Sequence, residues 1–341
     1  MKLVEVSGTP RELGRQTGEA LREELHAELG HIRAPADAAA WSRRLRVFVD
    51  TLRQKLPAVL EEMQGVAEGA GVAPEDVFRL NLPAYPSELD LQENCTNVAF
   101  ARGADGPLLG KNNDGLRGER RRPACVRVVR PRDGIPVAMV TFASMLATMD
   151  GMNAEGLSVG HSSVGSVLQQ SDRHVPVRLW AYAGMMQCRT TGEFVRHMTA
   201  EPTRGKGYSI LCADSAGTVC SIEAPCPLAQ VRRPSGASPH MHCVNCYQLP
   251  PIAHADRRTP EGKADALARW RFLDAQLSSL SEPGLEEMKR LLRHHGAPSI
   301  CRHGESEQAR TDFSFICLAA SGRLLCVDGR PCGGEFEEVV L

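Results

Sequence analysis

No stretch of this chain is apolar for long enough to span a membrane, and Met1 to Val6 is too short and too interrupted by Lys2 and Glu5 to be a secretory signal. An excess of one charge is missing too: 40 Lys and Arg stand against 41 Asp and Glu, a formal net charge of −1. That balance argues against a polyanion partner, so neither nucleic acid nor a membrane surface is expected. The one basic run, Arg120-Arg121-Arg122, reads as a solvated loop face. There is no internal repeat and no low-complexity tract. The end, Val339-Val340-Leu341, is not a peroxisomal tripeptide. Twelve cysteines without a secretory signal read as reduced thiols, and the expected location is cytoplasmic.

What is present is ample core. With 341 residues, 42% of them hydrophobic, the chain can hold one large domain or two. Thr9-Pro10-Arg11-Glu12 is a capping box with proline at the first helical position, and Leu13, Thr17, Leu21, Leu25 and Leu29 follow at helical spacing up to Gly30. A second helix is expected from Asp37, with Trp41, Leu45, Phe48 and Leu52 on one face. Pro57 kinks or ends it, and the pattern resumes through Val59, Met63 and Val66 to Gly71. Pro74 to Asn81 makes a short helix, and 83–93 reads as an exposed segment. Residues 1–94 are therefore expected to be helical.

The pattern changes to strand at Cys95. Thr96, Val98 and Phe100 fall on one face and Cys95, Asn97 and Ala99 on the other. Gly103-Ala104-Asp105-Gly106 reads as a hairpin turn and Leu108 to Lys111 as the returning strand, which brings Asp114 back towards Cys95. Further strands are expected at 125–130, 137–142, 157–160, 208–213, 218–223, 313–318 and 324–327. Helices are expected at 176–186, 191–198, through the 260s and 270s (Leu267, Trp270, Leu273 and Leu277 on one face) and at 285–294. Periodicity gives an α+β class and no more. By spacing alone, Cys95 is more readily a small buried hydrophobe than a nucleophile.

Several motifs together carry a resemblance. Cys95-Thr96 opening a strand, with Gly110-Lys111-Asn112-Asn113-Asp114 behind it, resembles the penicillin acyl-CoA acyltransferase family of self-processing, N-terminal-nucleophile (Ntn) cysteine hydrolases. Gly8-Thr9-Pro10-Arg11-Glu12-Leu13-Gly14, Val77-Phe78-Arg79-Leu80-Asn81, Ser299-Ile300-Cys301-Arg302 and Asp328-Gly329-Arg330-Pro331-Cys332 resemble its other landmarks, in order, over nearly the whole chain. The resemblance implies a four-layer αββα sandwich and a cut between Asn94 and Cys95. It also implies a helical small chain, 1–94, packed on a catalytic part, 95–341.

In such an enzyme the freed α-amine serves as base for its own thiol. The resemblance makes Cys95 the nucleophile, Asp114 its orienter, Asn245 an oxyanion donor and Arg302 a guanidinium near the thiol that can pair with Asp114. The chain departs from the family's pattern in having Asn94 for glycine, Asn113 for an aromatic residue and Cys246 for histidine. The implied reaction is transfer or hydrolysis of the acyl group of a small-molecule amide or thioester. Its partners are an acyl donor and an amine acceptor; no cofactor is expected, although an acyl-CoA or another acyl thioester can be a co-substrate.

Other readings compete. Asn245 can be a structural turn amide, and Asp114 with Arg302 a surface ion pair. His240, His242, Cys243 and Cys246, with Cys301 and His303 later, offer zinc ligands without a matching second Cys-x-x-Cys. Cys95 with His161 or His174 would make a papain-like pair. A non-catalytic or zinc-stabilised form of the same fold, acting as a binding protein, is the alternative function.

Overall fold

The structure is a computed structural model that describes residues 1–32, 37–82, 94–234, 238–304 and 309–341. The chain opens with strand β1 (Lys2–Gly8), then helices α1 (Pro10–Ala20), α2 (Arg22–His31), α3 (Ala38–Lys55), α4 (Pro57–Ala70) and α5 (Pro74–Asn81). Next come β2 (Thr96–Phe100), β3 (Leu108–Leu116), β4 (Ala124–Pro131), β5 (Val137–Phe142), β6 (Gly151–Asn153) and β7 (Ser158–Ser163). A two-residue strand β8 (Val175–Pro176) leads into α6 (Val177–Met185), α7 (Thr191–Thr199) and β9 (Thr203–Arg204). Then follow β10 (Tyr208–Ala213), β11 (Val219–Ala224), β12 (Gln230–Arg232) and β13 (Met241–Val244). Helices α8 (Pro250–Ala253), α9 (Pro260–Ser278) and α10 (Leu285–Leu292) precede the last strands, β14 (Ala309–Leu318), β15 (Arg323–Asp328) and β16 (Glu337–Val340).

Two sheets carry the architecture, ordered β1-β4-β5-β6-β7-β10-β11-β12 and β13-β2-β3-β14-β15-β16. Strand alternation assigns their side chains to three cores. Val126, Val128 and Leu211 of the first sheet meet Ala99, Leu109 and Phe315 of the second between the sheets. The outer face of the first sheet packs under α1 to α7, where Val6, Val129, Leu21, Phe48 and Phe194 are buried together. On the outer face of the second, Val98, Phe100 and Ile316 lie against Leu273 of α9 and Met288 of α10. The layers are therefore helix, sheet, sheet, helix: the αββα sandwich implied by the sequence resemblance.

The N-terminal part differs from the all-helical expectation. Val4 and Val6 are buried and Leu3 and Glu5 exposed, a strand period that pairs β1 in parallel with β4. The single helix expected up to Gly30 is two, α1 and α2, meeting at Leu21, whose backbone leaves the helical region. The capping box is present, with Thr9 and Glu12 bonding each other's backbone N–H. Helices α1 and α4 meet backbone to backbone through glycines: a Cβ on Gly14 would lie 1.9 Å from the Glu62 carbonyl oxygen, and one on Gly69 would lie 2.0 Å from that of Arg15. At this interface sits a buried network. Arg127 of β4 donates to Glu62 (2.7 Å) and Thr17 (3.0 Å), and the Tyr182 hydroxyl donates to both Glu62 oxygens. The exposed segment expected at 83–93 lies outside the described residues. Among the described residues no helix is long and apolar enough to cross a membrane. All twelve cysteines are free thiols.

Candidate active site

β2 sits between β13 and β3, with Thr96 opposite Asn112 and Asn97 opposite Lys111. Its alternation follows the sequence pattern. Thr96 faces α9, where it accepts from Arg269 (3.0 Å), while Asn97 faces the other sheet and donates to Ser162 of β7 (2.8 Å). Cys95, just before β2, is buried, and its thiol points to the side-chain oxygen of Asn113 at 3.7 Å. The hairpin thus brings the thiol back beside the far end of β3, as the spacing from Cys95 to Asp114 required.

Asp114 is fully enclosed. One carboxylate oxygen accepts from the Thr311 hydroxyl (2.8 Å); the other has only an ion contact with Nε of Arg302, at 3.6 Å, and no hydrogen bond among the described residues. Burial raises its carboxyl to about 7 against the opposing pull of Arg302 and Arg269. Arg302 is itself buried and donates to Asp265 of α9 at 2.6 Å. The pair is therefore internal and not a surface ion pair.

Asn245 follows β13, fully buried, with its carboxamide held at both ends. Its oxygen accepts from Arg269 (3.0 Å), and its nitrogen donates to the Ser163 carbonyl (2.6 Å). A carboxamide nitrogen carries two hydrogens, and the second finds no acceptor among the described residues. The same Arg269 donates to the carbonyl oxygen of Cys95 at 2.6 Å, so one guanidinium ties Asn245 to Cys95. A second arginine, Arg258, bridges the carbonyl of Asn245 (3.0 Å) and the side chain of Asn94 (2.6 Å). Burial and then the nearby Arg269 pull Arg258 down to about 10.

Sequence reasoning missed Arg269. The apolar stripe expected on α9 included Leu267, which is exposed; the buried stripe is Gly262, Ala266, Arg269, Leu273 and Leu277. An arginine at helical spacing inside an apolar stripe was the available signal. Lys111 was missed as well. Its ammonium, fully buried between the sheets, lies 2.6 Å from Asp150 and 3.2 Å from Nδ1 of His161. Burial opposes ionisation of Asp150, but His161 and Lys111 outweigh it and hold the carboxyl below its usual range. A cavity of about 270 Å³ opens beside these groups, lined among others by Asn113, Asp114, His161, Ser163, Arg178 and Tyr208.

The rival constellations separate. His161 gives Nδ1 to Asp150 at 2.9 Å, and His174 accepts from the backbone N–H of Ser171 in a turn. His242 packs against Trp270, whereas Cys243, next along the strand, points the other way and donates to the Ser209 carbonyl. His240 accepts from the Ala101 N–H, and Cys246 meets Gln248. These four do not gather into a ligand set.

No family model matches the chain. Over 171 residues it is 25% identical to the acyl-coenzyme A:6-aminopenicillanic-acid acyltransferase 40 kDa form of Emericella nidulans, a match covering 47% of this chain and 46% of that protein. The chain thus spans about half the length of the curated relative. Among solved structures, a Caenorhabditis elegans N-acylethanolamine-hydrolyzing acid amidase ortholog aligns with a TM-score of 0.45 and 15% identity, over 66% of this chain and 93% of that one. A variant of the conjugated bile acid hydrolase of Clostridium perfringens aligns with a TM-score of 0.45 and 13% identity, over 72% and 97%. In part of its length, then, the chain is similar to an acyltransferase of the family that its motifs resemble.

Proposed function

We propose that this chain is a self-processing enzyme with an N-terminal cysteine nucleophile, which transfers or hydrolyses the acyl group of a small-molecule amide or thioester. The observation that carries the reading is the reach of Arg269, which holds the Cys95 carbonyl and the Asn245 oxygen at once and leaves one Asn245 N–H without an acceptor. A nucleophile and an oxyanion donor need that fixed relation.

In the first reaction the Cys95 thiol attacks the carbonyl carbon of Asn94. The bond to the Cys95 nitrogen breaks, and that nitrogen takes the thiol proton. Water then hydrolyses the resulting thioester, leaving the Asn94 carboxylate and a Cys95 with a free amine and thiol. An α-amine with a pKa of about 7.7–8.0 is matched to a thiol of about 8.5, and so removes its proton near neutral pH. In the second reaction the thiolate attacks the substrate carbonyl. Asn245 donates to the developing oxyanion, and the leaving group departs with the proton held by the amine. Water or an acceptor amine then takes the acyl group, the water route giving hydrolysis and the amine route transfer. Asp114, held by Thr311 and Arg302, orients the new amine. Arg122 and Arg178 line the cavity with no carboxylate partner among the described residues, which favours a substrate bearing an anionic group.

The test is intact mass spectrometry of purified protein, with N-terminal sequencing, before and after exposure to a panel of acyl-CoAs and amides. The expected result is two chains, 1–94 and 95–341, with acyl adducts on the larger. Changing Cys95 to alanine should give an uncut, inactive and folded chain. Fully active protein that retains the Met1 end and an uncut chain would overturn the mechanism.

A further inference from the structure

We propose that His295, Cys301, His303 and Cys332 form a structural zinc site that fixes the loop carrying Arg302. It takes Cys301 and His303 from the ligands weighed from sequence and joins them with His295 and Cys332 in place of the 240–246 group, and it does not depend on the catalytic reading. One ligand atom from each of the four lies within 4.8 Å of every other. The Cys301 and Cys332 sulfurs are 3.6 Å apart, and Nε2 of His303 is 3.4 Å from the Cys332 sulfur. A tetrahedral zinc with Zn–S of about 2.3 Å and Zn–N of about 2.0–2.1 Å places two sulfurs about 3.8 Å apart, and a sulfur and a nitrogen about 3.5 Å apart. Those two distances match a metal centre, the other pairs lie within 4.8 Å and have to draw in, and the donor set of two thiols and two imidazoles suits zinc better than harder cations.

The ligands come from three places in the chain. His295 lies beyond α10, Cys301 and His303 flank Arg302 ahead of β14, and Cys332 follows β15. Binding would release the two thiol protons to water, leaving two thiolates, one Zn²⁺ and two neutral imidazoles, a site of zero net charge. His303 now accepts a hydrogen bond at Nδ1 from the exposed Arg330 at 2.7 Å. Ligation through Nε2 moves the ring proton to Nδ1, so Arg330 must turn away, as a side chain in solvent can. With both neighbours of Arg302 clamped, its guanidinium is held at the distances seen, 2.6 Å from Asp265 and 3.6 Å from Asp114.

Elemental analysis of untagged, full-length protein, purified under reducing conditions and reconstituted with zinc, should give one zinc per chain. Cobalt in its place should show the intense visible absorption of a tetrahedral thiolate complex. Cys332→Ser and His295→Gln change exposed residues, and each should lower bound zinc at least tenfold, while Cys188→Ser, outside the cluster, keeps it. Chelation should lower the melting temperature of the parent protein and leave that of Cys332→Ser unchanged. Protein that takes up no stoichiometric zinc, keeps it in both ligand variants, or carries a Cys301–Cys332 disulfide instead would overturn the proposal.

Discussion

Two of the buried arginine clusters in this molecule differ in how completely their charges are met. Under the N-terminal helices, Glu62 takes hydrogen bonds on both oxygens, from Arg127 and Tyr182, and Arg127 also donates to Thr17, with its Nε the one atom of the set left unbonded among the described residues. At the candidate active site Asp114 has one good hydrogen bond and one ion contact at 3.6 Å, while Arg302 and Arg269 share Asp265 as a second anion. A cluster that only joins layers is best when every polar group is paired. One that is to receive a new amine and a substrate, as proposed, has to keep some capacity open, and the sign of it is the Asp114 oxygen without a hydrogen bond among the described residues; burial raises the carboxyls of Asp114 and Glu62 alike.

The comparison breaks hardest at Arg127. Arg127→Met should leave Glu62 buried without its counter-charge and cost about 3–5 kcal/mol of stability in urea denaturation. Turnover per folded molecule should be nearly unchanged. A loss below about 1 kcal/mol would show that the two clusters are not of different kinds. Asn245→Ala should do the reverse, leaving the fold largely intact and slowing acylation by about 10²–10³-fold. Near-normal single-turnover rates would remove Asn245 from the chemistry.

Coupling sharpens the contrast further. If Asp114 and Arg302 act as one unit, either alanine variant should cost nearly as much activity as the double variant, with a coupling energy of about 0.5–3 kcal/mol. Additive losses would show that the two side chains act independently. A further effect is the pH dependence of stability. Asp114 is raised to about 7 when folded and falls near 3.9 when unfolded, so the folded state holds the extra proton between those values. Its contribution is complete below about pH 4 and fades as pH rises to 7. Asp114→Asn should flatten that part of a melting-temperature profile, and an unchanged slope would show that the carboxyl ionises normally.

The Cys95 hairpin and the approach of Asp114 were legible because alternation is local and turn residues mark its ends, whereas the four layers were legible only through the resemblance. Arg302 and Asn245 were legible only through the resemblance, since nothing in their neighbourhoods distinguishes them from turn or surface groups. Arg269 and Lys111 were not read at all. Each owes its importance to partners from remote parts of the chain, Cys95 and Asn245 for the first and Asp150 and His161 for the second. The strand β1 was passed over because only seven residues carry its period and a strong capping box follows at once.

The parallel pairing of β1 with β4 and the glycine contact of α1 with α4 have a consequence for refolding. As one chain, the N-terminal segment reaches its place by an intramolecular search. If the backbone is severed before Cys95, as proposed, the same contacts would hold two molecules together, and their reassembly would depend on protein concentration. A cut protein diluted out of denaturant would therefore lose the effective concentration that the uncut chain enjoys. The uncut chain would regain its fold where a cut form fails, so the covalent history of the molecule, and not its final contacts alone, would decide whether it recovers.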